Sequence, residues 1–552
     1  MIGNLIDRAI GIISPAWAMR RMECRATMSQ IQALSGGKGG YFPALGSQQK
    51  NPRPFSAGSH SENALDQAQF SLLAADAWSK HRLNPHFRKI TRALCSKVVG
   101  QGLRPHSQAA TPDGKPLEEF RARAKKLWED CQERIDFRGK PGRGGRTLNG
   151  IQHLALRTIM LSGEILFKMR PITEAEQKKR YLPVPLTIQL IDCQRLADDV
   201  AMAGVKDGHS YYRGIEFDSN RHRYRYWIRD YSNITGAVAE LATVPQPYDA
   251  NDIYHVFLEE DEDQFRGTTW FAAALMPARN GGDLRYNVVK SSAMQACVVL
   301  SYALATGKKR FGKNPVDSND LVDDEGNTLT HFAPGMCINR GKDGKVEMHA
   351  PNINISGYEG LIQGEAREEA AAVPGTKSST VTGDYRNSSF SSERSADNDI
   401  WPEIEVVQGW FCSNFCQPIY EALVTSAVLS GYFDGITGFN AAIFNANRAS
   451  FLACKWQGPV ARSINPVDDE KAAESRLRGC RSSPQRECAK QGVVFSEVLQ
   501  EIKEAYDMIK KAGLPEVVFN SMMGLDSKDL LTTEPASVND GSGNNVPENQ
   551  AA

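Results

Sequence analysis

The stretch Thr382-Gly-Asp-Tyr-Arg-Asn-Ser-Ser-Phe-Ser-Ser-Glu-Arg394 is polar and serine-rich, and it feeds a segment of a different character. Ile400, Ile404, Val407, Phe411, Phe415, Tyr420, Leu423 and Ala427 recur every three to five residues, the stripe that the packed face of an α-helix requires. Asp399 stands where an N-cap belongs and Gly431 where a helix ends. Unbroken, such a helix is roughly 45 Å long at about 1.5 Å per residue, the height of a domain. Pro418 lies inside it without a backbone N–H, so the sequence predicts a kink near Phe415 to Gln417. By pattern alone this is a core helix after a surface loop, and the rest of the chain is arranged around it.

The chain has 552 residues, which suggests two to four domains, and 41% of them are hydrophobic, enough for a sizeable core. Lysine plus arginine equals aspartate plus glutamate at 65 each. A zero net charge argues against a protein whose main task is to grip nucleic acid, because phosphate-neutralising surfaces make chains basic. It is compatible with a wall past which DNA slides, where each tightly held phosphate would be a stalling point. Eleven cysteines, an odd number without framework spacing, fit a reducing compartment. Cys412 and Cys416, one helical turn apart, read as packing thiols, since no second ligand pair stands at a matching spacing. The N-terminus carries Asp7 and Arg8 and is broken by Pro15, and the apolar run Ala293–Thr306 is shorter than the ~20 residues of a bilayer span. No membrane role is expected.

Along the chain, an amphipathic helix in 1–22 is followed by a glycine-rich extended arm. Gly36-Gly-Lys-Gly-Gly40 lacks both the spacing of a phosphate loop and a preceding strand. Helices are expected over 65–99, interrupted at Asn84-Pro85, and over 120–131 and 151–161. Gly100 and Gly102 supply the exit from the first pair. Arg138 to Arg146 sets four basic residues among four glycines and a proline, a solvated loop or a nucleic-acid contact. Strands are expected at 163–168, 186–191, 213–217, 224–228 and 253–258. In one of them Tyr224, Tyr226 and Ile228 face one way and Arg225, Trp227 and Arg229 the other, the pattern of a half-buried antiparallel sheet. His255 reads as a satisfied strand residue. The run Glu259-Glu-Asp-Glu-Asp263 reads as a solvated acidic loop. A long helical region is expected over 268–306, bent at Pro277 and Gly281-Gly282, then short strands and loops to 355 and a helix over 357–372. Further helices are expected near 470–478 and 494–511, and the polar tail 526–552 is expected to be disordered.

Several of these segments together resemble the lambda-type portal proteins of tailed phages. The resembling pieces are Thr382-Gly-Asp-Tyr385 with Ser388-Ser-Phe-Ser-Ser-Glu-Arg394, Trp410-Phe411, Gln417-Pro-Ile-Tyr-Glu421, Val98-Val-Gly-Gln-Gly102, Gly163-Glu164, Asp252-Ile-Tyr-His255, Arg266-Gly-Thr-Thr-Trp270 and Trp456-Gln-Gly-Pro459. Phe390 and Glu393 stand where the family usually has Tyr and Ala, and Asn465 where it has Asp. Each piece is weak, and their shared order makes the match specific.

The resemblance implies an α+β portal-type fold: a mixed wing with small antiparallel sheets, long stem and tunnel helices, and a helical crown. On this chain it places an N-terminal arm at 1–60, the wing at 61–267, a stem helix at 268–306, the clip at 307–355 and a second stem helix at 356–372. A tunnel loop at 373–395, the long helix and wing remainder at 396–449, the crown at 450–525 and a tail at 526–552 complete it. It further implies a ring of about twelve copies at one capsid vertex. Double-stranded DNA, the large terminase subunit, major capsid and scaffold proteins, and head-completion or adaptor proteins are the implied partners. The implied location is the virion, after assembly in the host bacterial cytoplasm. Lys377, Arg386 and Arg394, offset by Asp384 and Glu393, are the candidate tunnel-facing contacts to the DNA backbone. No catalytic, cofactor or metal constellation is visible, so a non-enzymatic role is expected. The competing readings are a nucleic-acid-processing enzyme, which needs a nucleotide or metal site, and a head or adaptor protein without a DNA channel.

Overall fold

Asn84 divides the first helical stretch in two. Its side-chain oxygen accepts a 2.8 Å hydrogen bond from the backbone N–H of His86, and Pro85 occupies the first helical position, where no N–H is needed. Helix α1 (Gln67–Leu83) therefore gives way to α2 (Pro85–Val98), which buries Phe87, Ile90, Leu94 and Val98, the stripe expected from the sequence. The chain then turns through Gly100 and Gly102, with φ of 56° and 113°.

The computed structural model describes residues 67–197, 204–235, 238–241, 244–262, 264–296, 299–302, 337–339, 347–349, 358–386, 389–461, 466–515 and 519. The expected N-terminal arm, the polar tail and most of 307–355 lie outside these residues. Two compact units divide the chain, Met1–Pro459 and Val460–Ala552.

The architecture is α+β. In the first unit, α3 (Glu118–Cys131), α4 (Leu148–Ser162), α5 (Leu275–Ala296), α6 (Tyr358–Ala371), α7 (Phe390–Phe411) and α8 (Gln417–Leu429) accompany small sheets. Strand β1 (Arg104–Ser107) pairs with a strand from the end of the unit, Cys454–Gln457. A second sheet is antiparallel throughout: β2 (Glu164–Pro171) lies between β3 (Leu186–Ile191) and β4 (Tyr254–Phe257). A third sheet orders Ser210–Tyr212, Ile215–Phe217, Arg223–Ile228 and Gln246–Asp249. In Arg223–Ile228 the expected alternation is overridden, because Trp227 is buried along with Tyr226 and Ile228 and gives its indole N–H to the buried carboxylate of Glu216 at 3.1 Å. Both faces of the second half of that strand are covered.

The long helix differs from its sequence reading at both ends of its first half. Ser389, not Asp399, is the N-cap: its hydroxyl accepts from the Ser392 N–H while the Ser392 hydroxyl accepts from the Ser389 N–H, a reciprocal capping box. The expected kink is a π-helical turn, Cys412–Cys416, in which the Gln417 N–H reaches back to the Cys412 carbonyl. Pro418, in the first turn of α8, has no N–H to offer Asn414, and a wider turn just before it absorbs the missing bond. The apolar stripe holds: Ile404, Val407, Phe411, Phe415, Tyr420, Leu423 and Ala427 are buried in the main core. Each large side chain of this kind contributes about 1.5–3 kcal/mol on burial.

The helix expected over 268–306 is shorter than that. It runs over Leu275–Ala296, and Val299–Tyr302 is instead the central strand of a small sheet with Cys337–Asn339 and Glu347–His349. The β-branched and aromatic residues of Val298-Val-Leu-Ser-Tyr302 suit a strand as well as a helix, so periodicity over so short a run does not separate the two. Pro277 falls in the first turn, where it is tolerated, and α5 continues through Gly281-Gly282. In the second unit α9 (Pro466–Arg478) and α11 (Phe495–Lys511) are as expected. Between them Ser483 caps an additional short helix, α10 (Pro484–Lys490), tied to α9 by Arg476 and Glu487 at 2.9 Å.

Candidate functional site

The three candidate cations sit on or beside the link between α6 and α7, and that link is more structured than a loop. Thr376 donates its hydroxyl to the carbonyls of Ala370 and Val373, closing the end of α6. Gly375 (φ 70°) gives its N–H to Glu403 of α7 at 2.7 Å and accepts from Lys97 of α2 at 3.1 Å. A Cβ there would stand 2.6 Å from Ile404, so the glycine permits the approach. Ser378–Thr382 then forms a short helix closed by Gly383 at φ 71°.

Lys377 is held between two carboxylates of α7, Glu393 and Asp397, with its Nζ 2.7 Å from Asp397 Oδ1. Burial opposes its charge, but Asp397 and Glu393 outweigh that and raise its pKa above the ordinary lysine value. Arg386 is open to solvent, with 72% of its side chain exposed, and it chelates Asp384 through Nε (2.9 Å) and Nη2 (2.7 Å) while reaching Glu359 of α6 at 2.9 Å. The bidentate hydrogen bond lowers the Asp384 carboxyl to about 2. Arg394 lies one turn into α7 and is exposed. The structure thus brings Lys377 and Glu393 together as a pair and Asp384 and Arg386 as another.

Two open clefts flank Tyr385. One of about 370 Å³ is lined by Lys97, Lys377, Thr380, Ser389, Glu393 and Asp397. The other, of about 820 Å³, is lined by His86, Tyr358, Glu359, Gln363 and Arg386 among others. Sequence reasoning misses Glu359, Asp397 and Lys97. Asp397 carries a signal, since it lies four residues after Glu393 and so on the same helix face; Glu359 and Lys97 come from distant segments and carry none.

Beneath the link the remaining motif residues converge in pairs that sequence alone keeps apart. Glu369 of α6, 1% exposed, accepts from Asn84 at 3.0 Å and lies 2.7 Å from His86, so the cap of α2 is locked to α6. Gln408 of α7 donates to the carbonyls of Val98 and Pro459, joining the Val-Val-Gly piece to the Trp-x-Gly-Pro piece. The most buried convergence is Glu164, at the start of β2. It accepts from Arg266 Nε at 2.7 Å, from the Gly267 N–H at 3.1 Å, and is 2.9 Å from His255 Nε2. Arg266 also donates to the Arg213 carbonyl, and its guanidinium lies over the Phe70 ring. Burial works against the charge on Glu164, and Arg266 with His255 overcomes it, holding the carboxyl well below the ordinary range. His255 is therefore the satisfied strand residue expected. These groups join segments that are distant in the sequence.

Among the described residues no group of three potential ligands could hold a metal ion, and no helix is long and apolar enough to cross a membrane. Cys412 and Cys416 are both buried, and burial drives the Cys416 thiol far above its ordinary value.

Residues 49–408 match the family model of the phage portal proteins, lambda family, over more than half of the chain. The chain belongs to that family, a structural and non-enzymatic one. No curated protein sequence matches it. Among solved structures, a chain of the virion of the native gene transfer agent particle is similar at 11% identity and a TM-score of 0.38, over 77% of this chain and 93% of that one. A chain from the neck of the native particle, computed with C12 symmetry, is similar at 12% identity and a TM-score of 0.35, over 76% and 93%. A chain from the neck of the empty particle gives 12% and 0.38, over 76% and 94%.

Proposed function

We propose that this portal-family chain assembles into a closed ring of about twelve copies at the unique capsid vertex, through heterologous contacts that return on themselves. DNA enters the capsid through the axial channel, driven by the large terminase subunit, and leaves by the same route. Head-completion, adaptor and tail proteins dock on the ring, which sits among major capsid and scaffold proteins in the virion after assembly in the host bacterial cytoplasm. No catalysis and no cofactor are involved. The observation that carries this reading is family membership over residues 49–408.

In this reading 61–267 is the wing, 268–306 and 356–372 are the stem, 307–355 the clip, 373–395 the tunnel loop, 396–449 the long helix with the remainder of the wing, and 450–525 the crown. Arg386 and Arg394 face the DNA backbone, with Lys377 behind them as the anchor of the loop. Pairing Arg386 with Asp384 suits a sliding contact: a cation already partly compensated attracts phosphate weakly, so no position along the duplex becomes a trap.

The test is negative-stain electron microscopy with mass photometry on the purified chain. Rings with an axial hole, at about twelve times the 60.9 kDa subunit mass, are expected. Assemblies without a hole would favour an adaptor lacking a DNA channel, and a monomer that stays monomeric with scaffold protein added would sink the ring.

A further inference from the structure

Two charged loops of the first unit take no part in the arrangement above, and they lie at opposite ends of one strand. The basic loop 138–146 is built outward from Asp136, 3% exposed, whose carboxylate accepts the backbone N–H groups of Arg138 (3.0 Å) and Arg146 (2.9 Å). Arg180 clamps the same corner by donating to the carbonyls of Asp136 and Phe137 at 2.8 and 3.0 Å. The corner is fastened to β3 by the Phe137 N–H to Ile188 bond, and Ile188 pairs with Met169 near the far end of β2. Gly145 packs so tightly on Gly139 that a Cβ would stand 1.8 Å from its carbonyl oxygen, so the loop has a fixed shape.

This loop presents cations without carboxylate partners. Among the described residues Arg138, Lys140 and Arg143 make no salt bridge. Beside them Tyr181, in the left-handed region at φ 56°, keeps 69% of its surface exposed, with Lys140 Nζ 5.0 Å and Arg134 5.9 Å from its ring centroid. A rigid exposed aromatic ringed by arginine and lysine is the composition of an interface anchor.

The acidic loop leaves the other end. β4 runs antiparallel to β2 with Phe257 opposite Glu164, so Glu259, Glu260 and Glu262 emerge beyond the Glu164 end of the sheet. Buried Gln264 staples this loop, accepting from the Glu260 N–H at 2.8 Å and donating to the Arg266 carbonyl at 2.9 Å. Glu259, Glu260 and Glu262 are exposed. From Glu164 to Met169 is about 17 Å of strand, so the two loops cannot neutralise each other within one chain.

We infer that the basic loop around Arg138, Lys140 and Arg143 of one copy docks on the acidic loop at Glu259, Glu260 and Glu262 of the next. Two different, complementary patches at opposite ends of one sheet make a head-to-tail contact, the kind that generates a ring. Both patches are pre-shaped by hydrogen bonds to a buried side chain, Asp136 in one and Gln264 in the other, which lowers the ordering cost of association. A chain with zero net charge and two segregated opposite patches steers its own copies into register rather than gripping a polyanion along its length. The contact rests on the ring proposed above, and the experiment separates the two.

Three proteins are compared by mass photometry at low and high salt: the full-length chain, the triple variant Arg138→Glu, Lys140→Glu, Arg143→Glu, and the triple variant Glu259→Lys, Glu260→Lys, Glu262→Lys. Each variant alone is expected to need at least about tenfold more protein than the parent to assemble, and an equimolar mixture of the two to assemble as the parent does. Recovery on mixing excludes misfolding as the cause. Single variants that assemble like the parent, or a mixture that stays apart, overturn the contact while leaving the ring. Variants that form normal rings and lose only DNA retention overturn it in favour of a DNA contact. A parent chain that forms no ring even with scaffold protein added overturns the ring itself and the contact with it.

Discussion

Gly163 and Gly267 cross so closely that a Cβ built on either would stand 2.4 Å from the carbonyl oxygen of the other. The crossing sets the start of β2 against the segment that leads into α5, and it brings Gly267's N–H onto Glu164. Gly267→Ala drives a methyl into backbone and into the Phe257 Cβ at 2.5 Å, neither of which has a rotamer to move away. We expect a loss of about 3 kcal/mol, at the upper end for a single added methyl group, read as a lower urea midpoint. Gly282→Ala is the control of opposite sign. It lies in the middle of α5 facing open space, and alanine should stabilise it by up to about 1 kcal/mol. Equal midpoints for the two variants would refute the close-crossing account.

The Glu164–Arg266 pair beside that crossing should show the asymmetry of buried charges. Removing Arg266 leaves the Glu164 carboxylate desolvated with only His255 and the Gly267 N–H hydrogen-bonded to it among the described residues, and Arg266→Met alone is expected to cost about 3–5 kcal/mol. The double variant Glu164→Gln, Arg266→Met should be less damaged than Arg266→Met. A double-mutant cycle with additive losses would count against a coupled pair.

His255 adds a pH dependence to the same cluster. Burial lowers its pKa, Glu164 pulls the other way, and Arg223 and Arg266 lower it further. Tyr226 also faces it, 3.5 Å from Nδ1. Unfolded, His255 takes up a proton as pH falls through about 6.5, and folded it resists until lower pH. The unfolded state then binds more protons, so stability falls as pH drops from about 7 toward 5. His81, lowered by its own burial and by nearby arginines, adds in the same direction. The Glu164 carboxyl is also depressed when folded, so its contribution is present above about pH 4.3 and is lost only as pH falls through the lower folded value. His255→Gln should lower stability at pH 7.5 yet flatten the slope between pH 7 and 5 in urea titrations. An unchanged slope would remove His255 as the source.

The buried thiols give a test that needs no mutation. Burial pushes Cys95 and Cys131 up to about 11 and about 12 and raises Cys416 well above the ordinary thiol value, whereas Cys480 is exposed. Alkylation at pH 8 without denaturant, followed by peptide mass spectrometry, should modify Cys480 at least about tenfold faster than Cys131 or Cys416. Comparable rates would mean that the helix carrying Cys416 opens readily.

What can be read in advance follows from the range of the physics involved. The stripe from Ile404 to Ala427, the Asn84-Pro85 break and the glycine exits are local, and they are legible in the sequence. Ser389 yields to Asp399 in a sequence reading because a serine cap needs Ser392 to answer it, and Asp399 offers the more familiar carboxylate. Pro418 announces a distortion, but a π-helical turn and a kink remove the same missing bond and look alike in sequence. The Glu164 cluster draws on residues 91 and 102 positions apart, and no periodicity encodes such a meeting. The family pieces mark its members without saying that they touch.

The link between α6 and α7 separates two roles that composition merges. Lys377 lies between Glu393 and Asp397 with 15% of its side chain exposed, so Lys377→Ala should loosen the loop and cost about 1 kcal/mol, with no direct effect on phosphate. Arg386 and Arg394 are exposed, and their replacement by alanine should leave ring assembly and stability intact while DNA packaging or retention falls. The salt sensitivity of DNA retention should weaken at the same time, since a phosphate no longer neutralised by arginine keeps its condensed counterion instead of releasing it. Asp384→Asn tests the sliding argument from the other side. Released from Asp384, though still beside Glu359, Arg386 binds phosphate more tightly, so the duplex should be retained better and packaged more slowly. Faster or unchanged packaging in that variant would mean that the Asp384–Arg386 pair only shapes the turn, and the DNA contact would have to be sought on other residues.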